Sequence, residues 1–154
     1  MEELKLTADC MLGGLAKWLR LLGFDTHYLR TDLCPNPDRI LVTRRSDRPH
    51  QPKLAGWQKV IRLSANDTRS QLLELSRILG LTHSDLKPMT RCSVCNGRLE
   101  PAEAALIFER LPDYIQSTHQ IFAHCPDCDR IYWPGTHHQR MMKVIDTLWP
   151  KNGT

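Results

Sequence analysis

Leu4-Lys5-Leu6-Thr7-Ala8-Asp9-Cys10-Met11-Leu12-Gly13-Gly14-Leu15-Ala16-Lys17-Trp18-Leu19-Arg20-Leu21-Leu22-Gly23 changes its apolar period partway along. Leu4, Leu6 and Ala8 alternate with Lys5 and Thr7, the two-residue period of a short strand ending at Asp9. Leu12, Leu15, Ala16, Leu19 and Leu22 then recur at helical spacing. They predict a helix over 11–22, with Gly23 where a C-terminal glycine ends one. Outward from this unit the pattern repeats. Asp25 to Leu29 reads as a second strand, Ile40-Leu41-Val42-Thr43 as a third and Val60-Ile61-Arg62-Leu63 as a fourth. Only Arg30 to Arg39 separates the second and third, and Pro35 and Pro37 leave no room there for a substantial crossover helix. Ser64-Ala65-Asn66-Asp67 has the form of a capping box opening a helix whose stripe is Leu72, Leu75, Ile78 and Leu79, stopped by Gly80. Strands alternating with helices predict a small α/β sandwich with a mostly parallel sheet.

The second half is organised differently. Cys92-Ser93-Val94-Cys95 and Cys125-Pro126-Asp127-Cys128 are two matched C-x2-C pairs, each placing two thiols on one tight turn. Together they can close a tetrahedral four-thiolate shell around Zn²⁺. A redox dithiol or two coincidental pairs is the alternative. A closed shell leaves no open position, so such a zinc is structural. His124 adjoins Cys125 but four cysteines already fill the shell. Ile107-Phe108 and Gln120 to Ala123 are expected strands of a ribbon hairpin. A last helix puts Met141, Val144, Ile145 and Leu148 on one face, expected to pack back on the first unit. The polar stretch Thr82 to Thr90 marks the junction, giving an expected division at 1–88 and 89–154.

The 154 residues are 41% hydrophobic, enough for a buried core, and no apolar run approaches the roughly 20 residues of a membrane span. The start, Met1-Glu2-Glu3, is acidic where a signal peptide is basic, so a cytoplasmic protein with Cys10 and Cys34 as reduced thiols is expected. The net charge of +4 is compatible with nucleic acid as partner.

Asp9 ends a strand and precedes a helix, where ligand sites of open α/β sheets lie, and a carboxylate there can hold Mg²⁺ or Mn²⁺. It can equally be a helix N-cap. Asp47 follows the third strand at the same edge, beside Arg44, Arg45 and Arg48, which can grip phosphate or simply form a solvated face. Asp25, Asp32 and Asp67 are weaker candidates, Asp67 as the acid of its capping box. Lys17 and Arg20 read as the polar side of the first helix. Gly13 and Gly14 imply close approach of a neighbouring helix or a phosphate. The four tryptophans read as core or interface residues.

The stretch from Thr7 through Asp25-Thr26 resembles the opening signature of the Mut7-C ribonuclease domain. Ile40-Leu41-Val42-Thr43-Arg44 is similar to its third-strand motif. Arg91 to Gly97, the second cysteine pair and Ile131-Tyr132-Trp133-Pro134-Gly135-Thr136-His137 resemble its zinc-ribbon tail. The resemblance covers about residues 5–148. It implies a PIN-like three-layer sandwich followed by a four-cysteine zinc ribbon and a C-terminal helix. It also implies a ribonuclease in which clustered carboxylates, here Asp9 with Asp47 or Asp32, hold a divalent metal. Two positions depart from the family's pattern. Arg45 stands where an aspartate usually follows the Thr-Arg of the third strand. The helix between second and third strands is missing, with Asp32 as the remnant of its acidic position. The expected function is therefore RNA cleavage weakened by one lost carboxylate. The alternative is a lapsed nuclease that binds RNA or docks on an assembly through its ribbon.

Overall fold

The computed structural model describes residues 3–30, 34–45 and 55–151. Four short strands, β1 (Lys5–Ala8), β2 (Asp25–Tyr28), β3 (Ile40–Thr43) and β4 (Lys59–Arg62), form one sheet in the order β2-β1-β3-β4. Every pairing is parallel, with Leu6 opposite Thr26 and Ile40, and Leu41 opposite Val60. β3 is buried along its whole length, as a strand interior to a parallel sheet must be.

Between β1 and β2 runs α1 (Gly13–Leu21). All five residues of the expected stripe, Leu12, Leu15, Ala16, Leu19 and Leu22, are at most 1% exposed, so periodicity alone located this interface. Each such leucine contributes about 1.5–3 kcal/mol by leaving water. The glycine stop is also as expected. Gly23 has φ +97°, and a Cβ there would collide with the Lys87 carbonyl. Gly14 answers to close packing, since a Cβ would lie 2.6 Å from Thr68 Oγ1.

The second major helix, α2 (Thr68–Leu79), begins later than the capping box implies. Asp67 is itself the N-cap, accepting from the Ser70 N–H at 2.9 Å. Ser64 instead donates its N–H and hydroxyl to Glu74, nearly two turns into the helix.

The ribbon carries β5 (Glu100–Ala102), α3 (Ala104–Ile107), α4 (Asp113–Thr118), β6 (Phe122–His124) and β7 (Ile131–Tyr132). Its sheet is antiparallel, in the order β5-β6-β7. The expected strand at Ile107-Phe108 is not one. Ile107 ends α3, where its side chain packs with Leu111 and Phe122 in a separate small core, and a 3-10 turn follows. β5 is the true partner of β6, a pairing hidden from pattern reading because Pro101 interrupts it.

The last helix, α5 (Thr136–Leu148), returns to the first core as expected. Met141, Ile145 and Trp149 join Leu72, Leu75 and the sheet residues, and Trp149 Nε1 donates to Ser76 Oγ at 2.7 Å. The architecture is thus α/β, with a four-stranded parallel sheet, five described α-helices and a four-cysteine cluster late in the chain. No described helix is long and apolar enough to cross a membrane.

Candidate active site and candidate metal centre

From β1 the chain moves to β2 on one side, and β3 lies on the other side of β1. The carboxyl ends of β1 and β3 are therefore the point of reversal where open parallel sheets place ligands. Asp9 follows β1 there, and Thr43-Arg44-Arg45 ends β3 beside it. The Asp9 N–H extends the ladder to the Val42 carbonyl at 3.0 Å, which fixes the residue against its neighbour strand.

The Asp9 side chain is fully buried. Its Oδ1 accepts from the Cys10 N–H at 2.7 Å and from Arg45 Nη2 at 3.3 Å. Its Oδ2 accepts from the Thr43 hydroxyl at 2.7 Å and from Arg45 Nε at 2.8 Å. Burial acts to raise the Asp9 pKa, yet the bonds from Thr43, Arg45 and Cys10 and the guanidinium charge outweigh it, and the carboxyl stays below its ordinary value. The same pair holds Arg45 above its ordinary value. Four donors occupy the four lone-pair sites of this carboxylate. A divalent cation does not fit Asp9 in this arrangement, because its ligand oxygens are taken and a fixed positive charge already faces them.

Arg44 points elsewhere, its Nη2 donating to Asn66 Oδ1 at 2.6 Å on the surface. Asp32, Asp47 and Arg48 lie outside the described residues. Asp25 belongs to the opposite edge. It is paired in register with Lys5, so it stands four residues, roughly 13 Å, back along the sheet from Asp9. Its carboxylate receives Arg39 Nη2 at 2.7 Å and Asn96 Nδ2 at 2.8 Å. Burial pushes against ionisation there too, but Arg39 and Asn96 prevail and bring the pKa down to about 2. Among the described residues no group of three or more acids, histidines or cysteines gathers at the Asp9 edge.

The one such group is Cys92, Cys95, Cys125 and Cys128, whose sulfur atoms all lie within 4.8 Å of one another. Cys92 and Cys128 Sγ are 3.6 Å apart and Cys95 and Cys125 Sγ 3.4 Å, close to the ~3.8 Å edge of a tetrahedron with ~2.3 Å Zn–S bonds. The two knuckles share one local geometry. Cys92 N–H bonds the Gly97 carbonyl and Cys125 N–H the Arg130 carbonyl, while Asn96 and Asp129 both take positive φ. The Tyr132 hydroxyl lies 2.9 Å from Cys92 Sγ. This donor set fits zinc, with no place left for a substrate.

Two residues that sequence reading assigned no site role bind this centre to the sheet. Arg20, taken for a solvated residue of α1, donates to the Thr26 carbonyl at 2.8 Å and to the Val94 carbonyl at 3.0 Å. Asn96 accepts the Thr26 N–H at 2.9 Å and so caps the outer edge of β2. The one available signal was its place just after a knuckle, a position that favours asparagine or glycine.

Neither curated proteins nor solved structures give a match to the chain. A family model described as Mut7-C RNAse domain matches residues 4–145, from the first strand through most of α5. The match spans the Asp9 edge and both cysteine knuckles alike, and on that coverage the protein belongs to the Mut7-C RNAse domain family.

Proposed function

We propose that this protein engages RNA as a PIN-like domain whose phosphodiester cleavage, dependent on Mg²⁺ or Mn²⁺, is conditional on Arg45 leaving Asp9. With Arg45 in place it is an RNA-binding domain of ribonuclease descent. The observation that carries this reading is the guanidinium of Arg45 seated on both oxygens of Asp9. An aspartate in that position would bring a second carboxylate to the edge; an arginine consumes the first one. Arg44 and Arg48 remain to grip the backbone, with Asp47 and Asp32 as further acids if the edge opens. Membership of a ribonuclease-domain family supports RNA as the partner.

The test is cleavage of mixed RNA in Mn²⁺ by zinc-loaded native protein, Asp9→Asn, Arg45→Asp and the double variant. Native protein retains RNA with little cleavage, Arg45→Asp raises cleavage at least about ten-fold, and Asp9→Asn abolishes it in both backgrounds. Native cleavage that already matches Arg45→Asp, or that survives Asp9→Asn, rejects the reading.

A further inference from the structure

We propose that the cleft beside the zinc centre receives one unpaired ribonucleotide, an inference that rests on RNA being the partner and adds a subsite remote in sequence from Asp9. The cleft holds about 400 Å³, within the range of small-ligand sites, and its lining includes Val94, Arg110, Asp129, Arg130, Tyr132 and Trp133. Those side chains are of the types that hold a single-stranded nucleotide, aromatic rings for a base and guanidinium groups for a phosphate.

The aromatic walls are pre-set. The Tyr132 hydroxyl lies against Cys92 Sγ, so the metal centre orients that ring. Trp133 packs on the Ile107, Leu111 and Phe122 cluster while keeping part of its surface open. Val94, 47% exposed at the tip of the first knuckle, offers an apolar contact that needs a partner more than water. The charges are also arranged. Arg110 is held by Asp129, through Nη1 to Oδ1 at 3.1 Å and Nη2 to the carbonyl at 2.8 Å, and keeps donors to spare. His124 contacts the same Oδ1 at 2.7 Å, which leaves Oδ2 outside these bonds as an acceptor for a sugar hydroxyl or base amine. Arg130 is exposed and has no ion-pair partner among the described residues. Two guanidinium groups, Arg110 and Arg130, thus stand in the lining beside the single carboxylate of Asp129. A duplex would present backbone but no base face, so the cleft selects single strands.

Fluorescence anisotropy of labelled oligouridine on the zinc-loaded full chain tests this, with photocross-linking from 4-thiouridine as a second readout. Arg130→Ala should weaken binding and flatten its salt dependence by about one charge. Trp133→Ala should weaken it about ten-fold, with Trp133→Phe restoring most of the loss. Cross-links should map to Tyr132 and Trp133, which decides the matter even if Trp133→Ala fails to fold. Binding unchanged in Arg130→Ala, with cross-links confined to residues 9–45, overturns the subsite while leaving RNA as partner. Displacement by polyglutamate as effective as by unlabelled oligouridine overturns it in favour of an acidic peptide. Failure of the native chain to bind oligouridine removes both this inference and the reading it rests on.

Discussion

Asp9, buried, and Asp25, partly buried, are both acids paired with an arginine, and the contrast between them separates a site from a strut. Arg39 is itself buried and reaches the Leu6 carbonyl and the Thr7 hydroxyl besides Asp25, so the pair ties three strands at the amino edge. Arg45, just past the end of β3, is more than a quarter exposed, so its pair with Asp9 lies at the solvent boundary. Removing Asp25 should therefore cost stability. Its folded pKa of about 2 is below the unfolded value of about 3.9, so its contribution is present above pH 4 and lost as pH falls towards 2. Asp25→Asn is expected to lose about 2–3 kcal/mol in urea unfolding at pH 7, with the deficit shrinking below pH 4. A deficit independent of pH would assign the loss to packing instead of charge.

At the scale of elements, the corrected start of α2 separates two capping assignments. Asp67→Ala should cost about 1 kcal/mol, the usual worth of an N-cap, whereas Ser64→Ala, which breaks only a surface bond to Glu74, should cost less than half of that. Urea unfolding of the two variants decides, and the reverse order would restore Ser64 as the cap. β1 and both major helices were legible because their apolar residues repeat at periods of two or 3.6, and β3 and β4 because a short β-branched run stands between polar stretches. The thiolate cluster was legible because its ligands are paired four residues to a turn. Ile107-Phe108 was misread since two adjacent apolar residues carry no period. The Asp9–Arg45 contact was foreseeable only as a charge placed nearby; its four-bond geometry depends on Thr43 and the Cys10 amide, which no local pattern marks. Arg20 and Asn96 were missed because each acts more than 70 positions away along the chain.

Across the whole molecule, the metal centre and the parallel sheet are joined at three places. Arg20 and Asn96 bind the first knuckle to β2, Glu3 pairs with Arg91 and Arg98, and α5 completes the first core. Loss of zinc should therefore spread into the sheet. Chelation at neutral pH is expected to lower Tm by roughly 10 °C or more, as a loss of several kcal/mol implies for a chain of this length, in a single transition followed by circular dichroism. Two separated transitions, with the helical signal of α1 and α2 unmoved, would mean that the ribbon melts alone. The same joints would let occupancy of the ribbon cleft be felt at β2, but Asp9 lies at the other edge, so zinc loss should disturb its pairing only after the sheet itself loosens.

Paramagnetic broadening by Mn²⁺ tests at single residues whether Arg45 keeps divalent cations off Asp9. In zinc-loaded native protein the amides of Asp9, Cys10 and Thr43 should stay sharp at Mn²⁺ concentrations that broaden them in Arg45→Asp. Equal broadening of these amides in native protein and Arg45→Asp, abolished by Asp9→Asn, would instead make the native edge an open metal site that Arg45 does not close.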